Sequence, residues 1–180
     1  HIDETGVNPV FVQIQSNASY TFTGGAISDY TGAGNTKPTA LMMAGTGTVI
    51  LQNANTFSGD VTLNKGTVVI QNANALGKNG AIIFNNGTLE FGNNATDISS
   101  RFIVNENKLK LAVSENVSIT LANLATGIRD NAQMLLTKSG AGNLTLAQSF
   151  AGDMHITDAA TEEAGIRIRR SDSGGSLTLQ

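Results

Sequence analysis

An all-β fold of many short strands, stacked as repeated coils, is what this sequence predicts. Three observations carry that expectation. The phrase Phe-x-Gly-x-hydrophobic recurs as Phe22-Thr23-Gly24-Gly25-Ala26, Phe57-Ser58-Gly59-Asp60-Val61 and Phe150-Ala151-Gly152-Asp153-Met154. Self-similarity of this kind marks a repeat architecture. Apolar and polar residues alternate with period two in short runs along nearly the whole chain, the spacing of half-buried strands. The composition agrees. The chain holds 19 Asn, 20 Thr and 20 Gly but only 2 Pro. Thr suits a pleated surface, and Asn and Gly tolerate the positive φ of tight turns.

In chain order the alternation predicts inward pairs at Phe11 and Gln13, Tyr20 and Phe22, Leu41 and Met43, Val49 and Leu51, and Val61 and Leu63. It continues with Val68 and Ile70, Ile82 and Phe84, Leu89 and Phe91, Phe102 and Val104, and Leu109 and Leu111. Then come Val117, Ile119 and Leu121, Met134 and Leu136, Leu144 and Leu146, Met154 and Ile156, Ile166 and Ile168, and Leu177 and Leu179. Gly, Asn, Ser or Asp separates nearly all of them. Gly47-Thr48-Val49, Gly66-Thr67-Val68 and Gly87-Thr88-Leu89 start alike at offsets of 19 and 21 residues, the length of one solenoid coil. At roughly 20–25 residues per coil and about 4.8 Å per step, the chain makes about eight rungs and spans roughly 40 Å. Each buried Val, Leu or Ile contributes roughly 1.5–3 kcal/mol before entropy is subtracted. Helical periodicity is scarce. Residues 123–134 are broken by Gly127 and read as a loop, as do 28–37 and 158–165. Nothing divides the chain, so residues 1–180 read as a single β-solenoid segment with repeat-like units at 45–92 and 139–157.

Composition also excludes. Charged residues are only 14% of the chain and the net charge is −3. The concentrated positive charge that nucleic-acid binding needs is missing. No apolar run approaches the ~18 residues of a membrane-spanning helix. Cysteine is absent, which rules out disulfides and thiolate metal sites. No signal peptide is visible and residue 1 is His, so a segment of a longer protein is expected.

The stretch Gly45-Thr46-Gly47-Thr48-Val49-Ile50-Leu51-Gln52-Asn53-Ala54-Asn55-Thr56-Phe57-Ser58-Gly59-Asp60-Val61-Thr62-Leu63 resembles the autotransporter-associated β-strand repeat. Lys65-Gly66-Thr67-Val68-Val69-Ile70-Gln71-Asn72-Ala73-Asn74-Ala75-Leu76-Gly77 looks like the second half of that repeat, with Lys65 where the family has Gly. Residues 139–157 match its first half. The resemblance implies a right-handed parallel β-helix and a passenger segment of a type V secreted protein, at the surface of a Gram-negative bacterium or released from it. It implies an outer-membrane barrel elsewhere in the full-length protein, and it supplies no catalytic motif.

Candidate chemistry is thin. His155 alternates outward with Asp153, with Asp158 nearby, a set that acid–base or metal chemistry can use. A solvated strand face explains the same residues, and Asp60 in the earlier copy has no histidine beside it. Asp158, Glu162, Glu163 and Asp172 surround Arg167, Arg169 and Arg170, as in β-helix enzymes acting on polysaccharide. Exposed ion pairs flanking Ile166 and Ile168 explain these too. Tyr20 is expected in the core. Tyr30, in the 28–37 loop, is the best single candidate for an exposed contact, although a loop Tyr also packs on its own loop. The triplets at Asn17, Asn86, Asn94, Asn116 and Asn143 have the glycosylation pattern by chance in so Asn-rich a chain. Asn53 and Asn72 suit stacked amide ladders.

The expectation is a structural or interaction module without catalytic, metal or cofactor residues. The alternatives are a polysaccharide-degrading β-helix enzyme and a receptor-binding toxin fragment. Expected partners are a host surface protein or glycan, or a second copy through the ends of the stack.

Overall fold

The computed structural model describes residues 1–129, 131 and 133–149, together with the strands at 154–156, 166–170 and 177–179. Strand dominates. In chain order the elements begin with β1 (Phe11–Ile14), β2 (Tyr20–Phe22), β3 (Tyr30–Gly32), β4 (Asn35–Lys37), β5 (Ala40–Met43) and β6 (Thr48–Leu51). There follow β7 (Val61–Leu63), β8 (Thr67–Ile70), β9 (Ile82–Phe84), β10 (Thr88–Phe91), β11 (Phe102–Val104) and β12 (Lys108–Val113). The last are β13 (Ser118–Leu121), β14 (Leu135–Ser139), β15 (Asn143–Leu146), β16 (Met154–Ile156), β17 (Ile166–Arg170) and β18 (Leu177–Leu179). One helical turn, α1 (Thr126–Arg129), falls inside the stretch expected to be a loop. Gly127 does not prevent it, because a single turn buries only Ile128 and asks little of helix propensity.

The strands form three parallel sheets. The first has the order β1-β5-β7-β9-β11, the second β16-β17-β14-β12-β10-β8-β6-β2, and the third β13-β15-β18. From β5 to β10 the chain alternates between the first sheet and the second, adding one parallel strand at each return. That is the connectivity a β-solenoid requires. After β11 no further described strand joins the first sheet. From β12 to β15 the chain instead alternates between the second sheet and the third; β16 and β17 then both join the second sheet, and β18 the third. The antiparallel pair β3–β4 stands apart, a hairpin closed by Ala33 and Gly34, both at positive φ.

Register explains the core. The Gly-Thr-hydrophobic triplets align as the sequence predicts, with Thr48 beside Thr67 and Thr67 beside Thr88. Inward residues of the second sheet form continuous columns. One runs Phe22, Leu51, Ile70, Phe91, Val113. In the first sheet, Ile14, Met43, Leu63, Phe84 and Val104 stack likewise. Phe84 and Phe102 meet edge to face with centroids 5.0 Å apart. Phe57, from the recurring phrase, is completely buried at a corner outside the strands. Gly77 lies against it at φ +64°, and a Cβ there would come within 2.3 Å of the Phe57 carbonyl oxygen.

Two expected inward pairs need correction at the open N-terminal end. In β1 the parity is reversed: Val12 and Ile14 face the core, while Phe11 is 45% exposed and Gln13 is exposed. Tyr20 has the expected parity, in register with Val49, but is 49% exposed because no described strand covers it.

Candidate interaction surface

Polar side chains near the corners are engaged in joining one turn of the chain to the next. Asp29 precedes the β3–β4 hairpin, and Thr39 follows it. The Asp29 Oδ1 accepts the Thr39 and Ser58 backbone N–H groups at 3.0 and 2.7 Å, and its Oδ2 accepts the Ser58 hydroxyl at 2.8 Å. The buried Thr39 hydroxyl sits against the Pro9 and Ser28 carbonyl oxygens. Desolvation raises the Asp29 pKa, but the Thr39 and Ser58 donors and the Lys78 ammonium outweigh it, and the group lies below its ordinary value. The clasp fixes the root of the hairpin. On the hairpin itself, the Tyr30 side chain lies over Gly32, where a Cβ would come within 2.2 Å of the Tyr30 hydroxyl. Tyr30 is thus half-buried on its own loop.

Asp97 and Arg101 play similar parts further along. Asp97 accepts the N–H groups of Ser99 and Ala122 and the Asn123 amide, each at 2.8 Å. Burial raises its pKa, yet the Ser99, Ala122 and Asn123 donors prevail and hold it low. The half-buried Arg101 guanidinium donates to the carbonyls of Gly80 (2.7 Å), Leu76 (2.8 Å) and Gly77 (3.4 Å). Desolvation lowers its pKa against an opposing pull from Asp60. These groups are occupied by backbone partners. A catalytic acid or base must face a cleft with its proton site open.

Asn residues form a ladder, but not the one expected. Asn85 Nδ2 donates to Asn64 Oδ1 at 2.6 Å, and Asn105 Nδ2 to Asn85 Oδ1 at 2.7 Å. Asn53 and Asn72 do not stack on each other. Asn53 Nδ2 donates to Gly25 O and Asn55 Oδ1, whereas Asn72 Oδ1 accepts the Asn74 N–H. The three ladder residues each directly follow a first-sheet strand, a signal the sequence carried. The sequence reading also missed Lys138, which is completely buried in β14, in register with Leu111, and donates to the Gly140 carbonyl.

His155 lies in β16, in register with Arg167 of β17. Arg169 and Arg170 lie further along β17. Asp153, Asp158, Glu162, Glu163 and Asp172, with the 158–165 loop, fall outside the described residues. Among the described residues no group of three or more His, Cys, Asp or Glu side chains is placed to hold a metal.

Exposed apolar surface gathers at the N-terminal end. Val7, Val10, Phe11 and Tyr20 are 42–54% exposed. A cleft of about 290 Å³ lies beside them, lined by Gln13, Ile14, Gln15, Ser16, Tyr20 and Phe22. A second cleft of about 260 Å³ lies between β11 and α1.

The passenger-associated-transport-repeat family model matches residues 43–70 and residues 136–160. The first match covers β6, β7 and β8, and the second covers β15 and β16 with most of β14. The chain thus carries two copies of a repeat found in autotransporter passengers, as the resemblance in its sequence implies. No curated protein and no solved structure matches the chain.

Proposed function

We propose that this chain is a right-handed parallel β-helix segment of an autotransporter passenger, a non-catalytic stalk or adhesin scaffold at the surface of a Gram-negative bacterium or released from it. One observation carries the reading: both passenger repeats fall on parallel, in-register strands. The corner carboxylates Asp29 and Asp97 support it, since both bind backbone N–H groups. A scaffold needs long runs of identical rung-to-rung bonds and no converging acid pair. The outer-membrane barrel belongs to the full-length protein.

A glycan-depolymerisation assay tests the non-catalytic part. The scaffold reading expects no cleavage of bacterial or host polysaccharide. Cleavage that disappears in Asp153→Ala or His155→Ala would replace it with the enzyme reading.

The ends of the stack associate with other copies. Among the described strands none lies beyond β1 or β2, and Phe11-Val12-Gln13-Ile14 and Tyr20-Thr21-Phe22 carry no charge. Such edges are templates for pairing. Sedimentation at rising concentration should show oligomers that a Val12→Lys/Phe22→Lys variant loses. A strictly monomeric species at the highest concentration would contradict this.

A further inference from the structure

The second repeat copy does not sit where the first does. In the first copy, the strand before Gly45 is β5 and the strand after Phe57-Ser58-Gly59-Asp60 is β7. The two lie side by side, with Leu41 beside Val61 and Met43 beside Leu63. Matching Gly140 to Gly45 and Phe150 to Phe57 makes β14 the counterpart of β5, and β16 the counterpart of β7. Repeat equivalence therefore puts β16 directly against β14, with Met154 opposite Leu136, His155 opposite Thr137 and Ile156 opposite Lys138. In the structure β17 holds that place, and β16 lies outside it.

The two strands are interchangeable in pattern. Met154-His155-Ile156 pairs position by position with Ile166-Arg167-Ile168, apolar-polar-apolar in both. The observed pairing carries a cost. With β17 against β14, Arg170 stands in register with Lys138, one cation beside another. Like charges at facing positions weaken a strand pair. With β16 there, Ile156 would take that position. The repeat favours one strand and the observed pairing favours the other.

We propose that the outer edge of β14 is a shared site, occupied alternately by β17 and β16, so that the C-terminal end of the stack has two registers. It requires no partner, and it is independent of whether the chain is a stalk or an enzyme.

The chain has no cysteine, so engineered pairs report cleanly. Neighbouring parallel strands are about 4.8 Å apart, within reach of a disulfide, whereas next-nearest strands at about 9.6 Å lie beyond the roughly 7 Å limit. Thr137→Cys/Arg169→Cys tests β17 against β14, and Thr137→Cys/His155→Cys tests β16 against β14. Both are equilibrated in a glutathione buffer, and the monomer is read by intact mass. Sharing predicts that both pairs close, with yields within about tenfold of each other. Adding Arg170→Ile to each should move the ratio roughly threefold toward the Arg169 pair. Closure of the Arg169 pair alone, or of the His155 pair alone, means a single fixed strand and overturns the proposal. Backbone NMR of the cysteine-free chain gives the same answer without substitution. Two sets of Thr137 and Ser139 amide resonances, or exchange broadening, support sharing, and one sharp set refutes it.

Discussion

Asn55 offers the sharpest test of how the turns are held together. It is 2% exposed. Its Oδ1 accepts the Ile27 N–H at 2.8 Å and the Asn53 amide at 2.9 Å, and its Nδ2 donates to the Ala75 carbonyl at 2.7 Å. One side chain therefore joins three successive turns of the chain. Asn55→Ala strands the Ile27 donor and the Ala75 acceptor away from water. Each unsatisfied buried group costs about 1–3 kcal/mol, so the loss should be about 2–6 kcal/mol. At a urea m-value near 2 kcal/mol/M, the midpoint should fall by roughly 1–3 M. Asn85→Ala is the comparison. Asn85 also bonds to two neighbouring turns, but it is only half-buried and water can replace its partners, so it should cost about 1 kcal/mol or less. Asn55→Asp adds a pH readout. The new carboxylate can still accept from Ile27 but faces the Ala75 oxygen in a dry site, so its folded pKa is raised. Its protonated form can donate. The stability deficit of Asn55→Asp should therefore be smallest below the unfolded carboxyl value of about 3.9 and grow as pH rises through the folded one. Far-UV circular dichroism against urea, at several pH values, measures all three variants. Equal costs for Asn55→Ala and Asn85→Ala would refute the reasoning.

Three further predictions follow. Phe57→Ala should cost about 3–5 kcal/mol because the ring is completely buried, whereas Phe11→Ala, at the open edge, should change stability by about 1 kcal/mol or less; urea midpoints compare them. Gly77→Ala should destabilise by more than about 1 kcal/mol, because the residue sits at φ +64° and its Cβ would strike the Phe57 carbonyl; thermal melting checks this. Asp29 has a lowered folded pKa, so its contribution is present above the unfolded value of about 3.9 and is lost as pH falls through the folded one. Wild type should therefore lose more stability than Asp29→Asn on acidification from pH 5 to pH 2, measured by urea midpoints at each pH.

Much of the fold was legible because it is periodic. Offsets between Gly47, Gly66 and Gly87 gave the register of β6, β8 and β10 directly, and period-two parity placed Leu41 through Leu111 on the correct face. Failures cluster where the period breaks. Parity cannot be read from Phe11-Val12-Gln13-Ile14, since three of four residues are apolar and the edge leaves Phe11 in solvent. Tyr20 carries the right parity and the wrong burial, because exposure there depends on what lies above the strand. Lys138 was missed because a lysine in a strand reads as outward, and only the column it occupies shows otherwise. Asp29, Asp97 and Arg101 each bond to a residue 21–29 positions away, and nothing in local sequence marks those partners. The change from first-and-second to second-and-third sheet at β12 also leaves no local mark, since each strand keeps the same alternation.

A spin-label ruler along the second sheet tests the central claim most directly. Thr21, Ile50, Val69, Glu90, Ala112 and Ser139 occupy successive register positions on one face. Labels at Thr21 paired with Glu90, Ala112 or Ser139 should lie about 14, 19 and 24 Å apart by electron–electron resonance, growing by about 4.8 Å per strand. Distances that fail to increase in that order, or that shorten between Ala112 and Ser139, would contradict the stacked parallel arrangement.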